Sequence, residues 1–228
     1  MHATPDAEDQ VSSEILPGEE FAVLEMSGRW AWGYSRHDHY VGYVEAAALT
    51  EAVPGSHLVA VASTSIRQKP DLHSPSLGEL PMGARVGGDE TGGFVAAGGG
   101  FVSAAQLLRM DAPERDPVAV AERLVGAPYL LGGRTARGID CSALVQLALG
   151  LCGIRAPRDS DQQRVVGEPA PEGEPQRGDL IFFEGHVGLM MNAERMIHST
   201  RHHGGVVVEP LAAVAARTPL LERRRLPG

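Results

Sequence analysis

The hydrophobic positions change rhythm twice along the chain. Between residues 21 and 45 they alternate over short stretches, Phe21-Ala-Val-Leu-Glu-Met, Trp30-Ala-Trp-Gly-Tyr and Tyr40-Val-Gly-Tyr-Val, separated by turn signals at Ser27-Gly28 and His37-Asp38-His39. Period-two alternation broken in this way predicts short antiparallel strands, each with one face in a core. After a linker-like Glu51-Ala-Val-Pro-Gly-Ser-His57 the rhythm returns in Leu58-Val-Ala-Val, Thr64-Ser-Ile-Arg, Gly83-Ala-Arg-Val, Gly93-Phe-Val-Ala and Gly100-Phe-Val. Two stretches alike in length and spacing predict tandem small β-barrels, at 1–53 and 54–110, rather than one larger sheet.

The second change follows Met110-Asp-Ala-Pro-Glu, where the period lengthens to that of a helix. Asp116-Pro117 reads as an N-cap with proline at the first helical position; Val118, Val120, Ala121, Leu124 and Val125 supply an inward stripe, and Gly126 ends it. A second helix is predicted from Asp140 or Cys141 through Leu144, Val145, Leu147, Ala148 and Leu151 to Gly153. A Pro/Glu/Gly-rich loop at 167–178 then leads to strand candidates Leu180–Phe183, His186–Met191, Arg195–His198 and Val206–Glu209. Helices followed by a sheet predict a third domain, of α+β class, over 111–228.

Composition narrows the function. The net charge of −9 disfavours a duplex nucleic-acid or anionic-membrane partner, because both surfaces are polyanionic. The sole lysine, Lys69, sits in a Gln-Lys-Pro-Asp turn, which excludes a desolvated lysine nucleophile. MHATPDAEDQ carries neither a basic leader nor an apolar run, and no stretch approaches the roughly 18 apolar residues of a membrane span, so a cytoplasmic location is expected. The two cysteines, eleven positions apart on one predicted helix, would stand about 16 Å apart and form no disulfide.

Cys141 lies between Asp140 and Ser142 at the predicted start of that helix. Free N–H groups and the helix dipole favour negative charge there, which predicts a stabilised thiolate and amides ready for an oxyanion. Such a nucleophile needs an imidazole to take and return a proton. His186 opens one predicted strand and His198 ends the next, with Asn192-Ala-Glu suited to the turn between them, so both rings project to one face. Gly188, two residues after His186, is read as leaving that face open for a bound group. Cys152 reads as core, and a zinc site built on His198, His202 and His203 with Cys141 or His186 is a weaker alternative on strand-to-loop spacing.

Asp140-Cys141-Ser142, Gly185-His186-Val187-Gly188 and Met196-Ile197-His198, preceded by Pro128-Tyr129-Leu-Leu-Gly132-Gly133, resemble the NlpC/P60 family of papain-like cysteine peptidases. The resemblance implies Cys141 as nucleophile, His186 as base, His198 as the orienting third member, and no metal or organic cofactor. With two SH3-like barrels ahead, the chain is similar to enzymes of murein peptide recycling that hydrolyse the γ-D-glutamyl–diamino acid bond of free stem peptides beginning with L-alanine. It further implies a substrate cleft formed by Tyr129, Asp140, Ser142, Arg158, Asp159 and Ser160, with Asp159, Glu14 and Tyr40 on the substrate ammonium. Leu131 stands where many relatives have tryptophan. An exported endopeptidase acting on intact peptidoglycan, a non-catalytic murein-binding scaffold, and acyl transfer in place of hydrolysis use the same residues. Oligomeric state and the choice between diaminopimelate and lysine are left open.

Overall fold

The alternating stretches of the amino-terminal half form strands β1 (Phe21–Ser27), β2 (Trp30–Ser35) and β3 (Val41–Glu45), paired antiparallel as β1-β2-β3. The second alternating region forms β4 (His57–Val59), β5 (Ser63–Arg67), β6 (Ser76–Pro81), β7 (Arg85–Val86), β8 (Glu90–Thr91), β9 (Phe94–Ala97), β10 (Gly100–Ser103) and β11 (Leu107–Arg109). These make a five-stranded sheet ordered β6-β5-β10-β9-β8 and a three-stranded sheet ordered β11-β4-β7. Val59, Leu80, Ala84, Val86, Val95 and Val102 are the core between them. This is a computed structural model describing residues 1–227, and its contacts divide the chain into two compact units, Met1–Glu114 and Arg115–Gly228. Both β-rich segments belong to the first unit, where the Arg85 N–H donates to the Pro17 carbonyl at 2.8 Å.

In the second unit, helix α1 (Pro117–Glu122) is capped by the Asp116 side chain, which accepts from the N–H groups of Val118 and Ala119. The helix ends four residues before Gly126, so Val125 falls outside its stripe and is exposed, contrary to the pattern reading. A two-stranded ribbon, β12 (Arg134–Thr135) and β13 (Gly138–Ile139), leads into helix α2 (Cys141–Leu151). Then come β14 (Glu168–Pro169), β15 (Leu180–Phe183), β16 (His186–Met190), β17 (Arg195–Thr200), β18 (Gly205–Pro210), helix α3 (Leu211–Arg217) and β19 (Leu220–Arg225). The six strands form one antiparallel sheet ordered β14-β19-β15-β16-β17-β18, with α2 packed on α1 and across β16 and β17. The fold class is α+β, with the β-rich part first. No helix among the described residues is long and apolar enough to cross a membrane.

Strand β19 carries no alternation, since its sequence is Leu-Leu-Glu-Arg-Arg-Arg. It pairs along its backbone with β15 and β14, and side-chain bonds anchor it: Arg225 reaches both oxygens of buried Asp179 at 2.7 and 2.8 Å, and Arg224 donates to the Gly167 carbonyl at 2.6 Å.

Candidate active site

Cys141 is the first residue of α2, and Asp140 before it is the N-cap, its carboxylate accepting from the Ala143 N–H at 2.8 Å. That carboxylate is the hub of a buried network. Its Oδ2 also accepts from the Gly132 N–H at 2.9 Å, and Arg158 donates to both oxygens at 3.0 and 2.6 Å. Arg158 donates in addition to the Ser142 hydroxyl at 2.9 Å. From behind, the Gln163 amide donates to the carbonyls of Ser142 and Pro157, both at 2.9 Å. The helix tip is therefore held from three directions, and a bidentate guanidinium keeps the cap oriented. On the entering side, the Ser199 hydroxyl donates to the Ile139 carbonyl at 2.6 Å and ties β17 to the residues just before Cys141.

Packed against α2, β16 begins at His186. The Cys141 thiol donates to the carbonyl of Gly185, the residue before it, at 4.0 Å. His186 Nε2 lies 2.7 Å from His198 Nδ1, and His198 Nε2 lies 2.8 Å from Glu209 Oε1 on β18. Arg217 on α3 donates to the same oxygen at 2.6 Å, while His203 approaches Oε2 at 3.4 Å. Antiparallel pairing places Gly188 on β16 against β17. There a Cβ would stand 2.3 Å from Met196 Cε and 2.9 Å from His198 Cβ. The space beside Gly188 is thus filled by Met196 and His198 of β17, so glycine there serves close packing of the two strands and leaves no room for a bound group.

Charge at the nucleophile departs from the sequence reading. Burial, reinforced by the Asp140 charge, pushes the Cys141 thiol up to about 11, against backbone N–H groups of Val187 and Ser142 and the Arg158 charge, which favour the thiolate. The helix-tip effect is present but smaller than the cost of desolvation at a site only 7% exposed. Burial, with His198 next to it, pushes His186 down to about 4 although Glu209 opposes the shift. At neutral pH these shifts leave Cys141 as a thiol and His186 as a neutral imidazole.

The expected cleft residues separate into two groups. Tyr129 is half-buried, bridges to Ile139 two residues before Cys141, and carries the Arg201 guanidinium 5.5 Å above its ring. Burial raises its hydroxyl pKa while Arg201 opposes. Asp159 and Ser160 are half-buried, and Leu131 is exposed. Asp140, Ser142 and Arg158, in contrast, are 4%, 6% and 2% exposed and bond to one another, so their side chains brace the site from within instead of facing substrate. Cys152 also departs from expectation: it is the C-cap of α2 and partly exposed, because the helix ends at Leu151. Glu14 and Tyr40 belong to the first unit, where Tyr40 packs on the cluster of Met1, Ala31 and Val44.

Three residues escaped the sequence reading. Glu209 and Arg217 complete the histidine chain, and Gln163 supports α2. The one available signal was Glu209 itself, a carboxylate ending the otherwise apolar Val206-Val207-Val208-Glu209 run. No group of three or more metal-binding side chains is gathered among the described residues, His203 being turned toward Glu209.

Residues 126–225 match the NlpC/P60 family model, and residues 1–49 match the bacterial dipeptidyl-peptidase Sh3 domain, which is found once, not twice. The chain is 35% identical over 109 residues to a probable endopeptidase NlpC homolog of Haemophilus influenzae, covering 46% of this chain and 60% of that one. It is 26% identical over 243 residues to the gamma-D-glutamyl-L-lysine dipeptidyl-peptidase of Bacillus subtilis, covering 94% and 81%. Among solved structures, an NlpC/P60 family protein from Bacillus cereus superposes with a TM-score of 0.82 at 24% identity over 95% of this chain and 82% of that one, which speaks to the fold.

Proposed function

Since the chain carries an NlpC/P60 domain behind a bacterial dipeptidyl-peptidase SH3 domain, we propose that it is a cysteine peptidase that hydrolyses peptides of murein. The observation that supports it most is the thiol of Cys141 at a helix tip beside the Gly185–His186 peptide, with His186 backed by His198. Because Nε2 of His186 is engaged by His198, Nδ1 is left as the nitrogen that takes the thiol proton. The S–H proton passes to Nδ1 as sulfur bonds to the carbonyl carbon, and the resulting oxyanion faces the first amides of α2. Collapse breaks the C–N bond, the amine leaving with the proton from His186. Water, giving a proton to the same nitrogen, then opens the thioester.

The finer reading is a γ-D-glutamyl–diamino acid bond in free stem peptides that begin with L-alanine, within cytoplasmic peptide recycling. It draws support from the name of the Bacillus subtilis relative and the end-to-end extent of that similarity. On this reading Asp159 takes the substrate ammonium, a compact cation suited to a carboxylate. Tyr129 and Ser160 line the cleft.

Incubating L-Ala-γ-D-Glu-diaminopimelate and its lysine counterpart with the protein, and following the dipeptide and free diamino acid, tests both levels. Release of L-Ala-γ-D-Glu that disappears in Cys141→Ala is expected. Turnover unchanged in Cys141→Ala would remove the peptidase assignment; cleavage of crosslinked sacculi in preference to free peptide would remove only the recycling part.

A further inference from the structure

We infer that Glu209 is a positioning residue of the Cys141–His186 pair: pinned by Arg217, its carboxylate fixes the tautomers of His198 and His186 so that the base presents its lone pair on Nδ1. The inference takes its functional meaning from the peptidase reading, but its content is hydrogen-bond bookkeeping that stands without a substrate.

An ionised carboxylate only accepts. Burial would raise the pKa of Glu209, yet hydrogen bonds from Arg217, His203 and His198 outweigh it and hold the group at about 2. The nitrogen facing Oε1, Nε2 of His198 at 2.8 Å, must therefore carry hydrogen. Burial keeps His198 neutral at pH 7, although Glu209 opposes. A neutral ring has one N–H, so its Nδ1 is an acceptor. Nε2 of His186, 2.7 Å away, is then the donor, since two lone pairs would otherwise face each other. Neutral His186 keeps its remaining lone pair on Nδ1. Each assignment forces the next, and the sequence of assignments starts on β18, a strand that contributes neither histidine.

The groups around this chain come from four elements: His186 from β16, His198 from β17, His203 from the turn after β17, and Arg217 from α3. Among them and Glu209, only Glu209 is negative. With it removed, His198 would face a guanidinium and neutral rings, and its Nδ1–H form would become as accessible as its Nε2–H form. Nδ1–H on His198 reverses the bond to His186 and moves the lone pair of the base to Nε2, away from its working position. A carboxylate that merely neutralised Arg217 would make no such demand on either ring.

Two-bond 1H–15N correlation on the full chain with 15N-labelled histidine, near pH 7, reads the tautomers directly. His186 and His198 are both expected as Nε2–H. The pair Glu209→Leu with Arg217→Met removes the carboxylate without stranding its guanidinium; mixed tautomers at His198 and a kcat lower by about 10²-fold with KM little changed are expected. Glu209→Gln should restore the wild-type tautomers, because Arg217 still selects the carbonyl oxygen for the position facing His198. An Nδ1–H signal for His198 in the wild type, or a double variant that keeps both tautomers and kcat, overturns the inference. The wild-type spectrum decides even if the double variant fails to fold. Correct tautomers in a protein that cleaves no murein peptide would sink the proposed function and leave the positioning role of Glu209 intact.

Discussion

The two units keep their charges in different places. In the first, the ion pairs Arg29–Glu45, Arg36–Glu20 and Arg109–Asp111 join side chains that are all about half exposed or more. In the second, the Arg158–Asp140 side chains are 1% and 5% exposed, and the Glu209 carboxylate, bonded to neutral His198 and paired with Arg217, is 10% exposed. A pair in water gains little, because solvent already satisfies both partners. A buried pair costs desolvation that its attraction only partly returns, so apolar residues would hold the same space as well. The second unit retains the Arg158–Asp140 pair at the tip of α2 and the Glu209 carboxylate behind His198 and His186. Away from Cys141 the second unit also buries Asp179 against Arg225 and Arg223, so the contrast is one of depth: this unit holds carboxylates inside, while the β-rich unit, whose described pairs lie at the surface, is held by its apolar clusters.

Breaking the deepest pair should have the largest effect on stability. Arg158→Met leaves the Asp140 charge buried with fewer donors and is expected to cost about 3–5 kcal/mol in urea denaturation of the second unit. Adding Asp140→Asn should recover part of that loss, because the stranded charge goes while a capping oxygen stays. A single variant as stable as the wild type would mean that Asp140 is satisfied by the Gly132 and Ala143 amides alone, and the contrast between the units would lose its strongest case.

Legibility in the sequence followed the same division. Strands β2 and β3 were readable because burial on one face writes period two into them, and β15 to β17 because burial on both faces leaves short apolar runs. So were α1, through Asp116-Pro117, and the start of α2. Strands β6 and β8 were not: they lie at the ends of their sheet and are largely exposed, so their pairing is imposed by a neighbour and leaves no pattern. Strand β19 was hidden because arginine stems and their ion pairs stand in for apolar side chains. At the site, Cys141, His186 and His198 could be found as residue types suited to the chemistry. What Asp140, Ser142 and Arg158 do could not, since a polar side chain looks the same in sequence whether it faces substrate or another buried group. The ionisation of Cys141 was misread for a related reason: helix position is local and visible, whereas desolvation is made by distant parts of the chain.

Acid sharpens the comparison at intermediate size. His186 has its pKa lowered from 6.5 in the unfolded chain to about 4. Above pH 6.5 both states are neutral and its contribution is full; as pH falls toward 4 the unfolded state takes the proton first, and stability drains away. His198 shifts in the same direction. Glu209 extends the loss from about 4.5 down to about 2, where the folded carboxylate finally protonates. For His186 alone, a shift from 6.5 to about 4 bounds the loss at about 3 kcal/mol. Denaturation midpoints at pH 7 and pH 4.5 should therefore fall further for the wild type than for His186→Asn, which has no imidazole to protonate. Equal falls would show that His186 carries no such linkage.

The smallest effect is expected where the geometry is best for a surface pair. Arg109 approaches Asp111 with two nitrogens, Nε at 2.9 Å and a terminal nitrogen at 2.6 Å, the fork arrangement that gives an exposed pair its best chance of mattering. Both side chains are about two-thirds exposed, so water competes for every one of those bonds, and salt at about 0.15 M screens the charges within a Debye length of about 8 Å. Arg109→Gln should leave the urea midpoint of the first unit where it was, at low salt and at high salt alike. A clear fall at low salt that vanishes at high salt would show that the surface pairs of this unit carry stability after all. Burial would then no longer be what separates the two units.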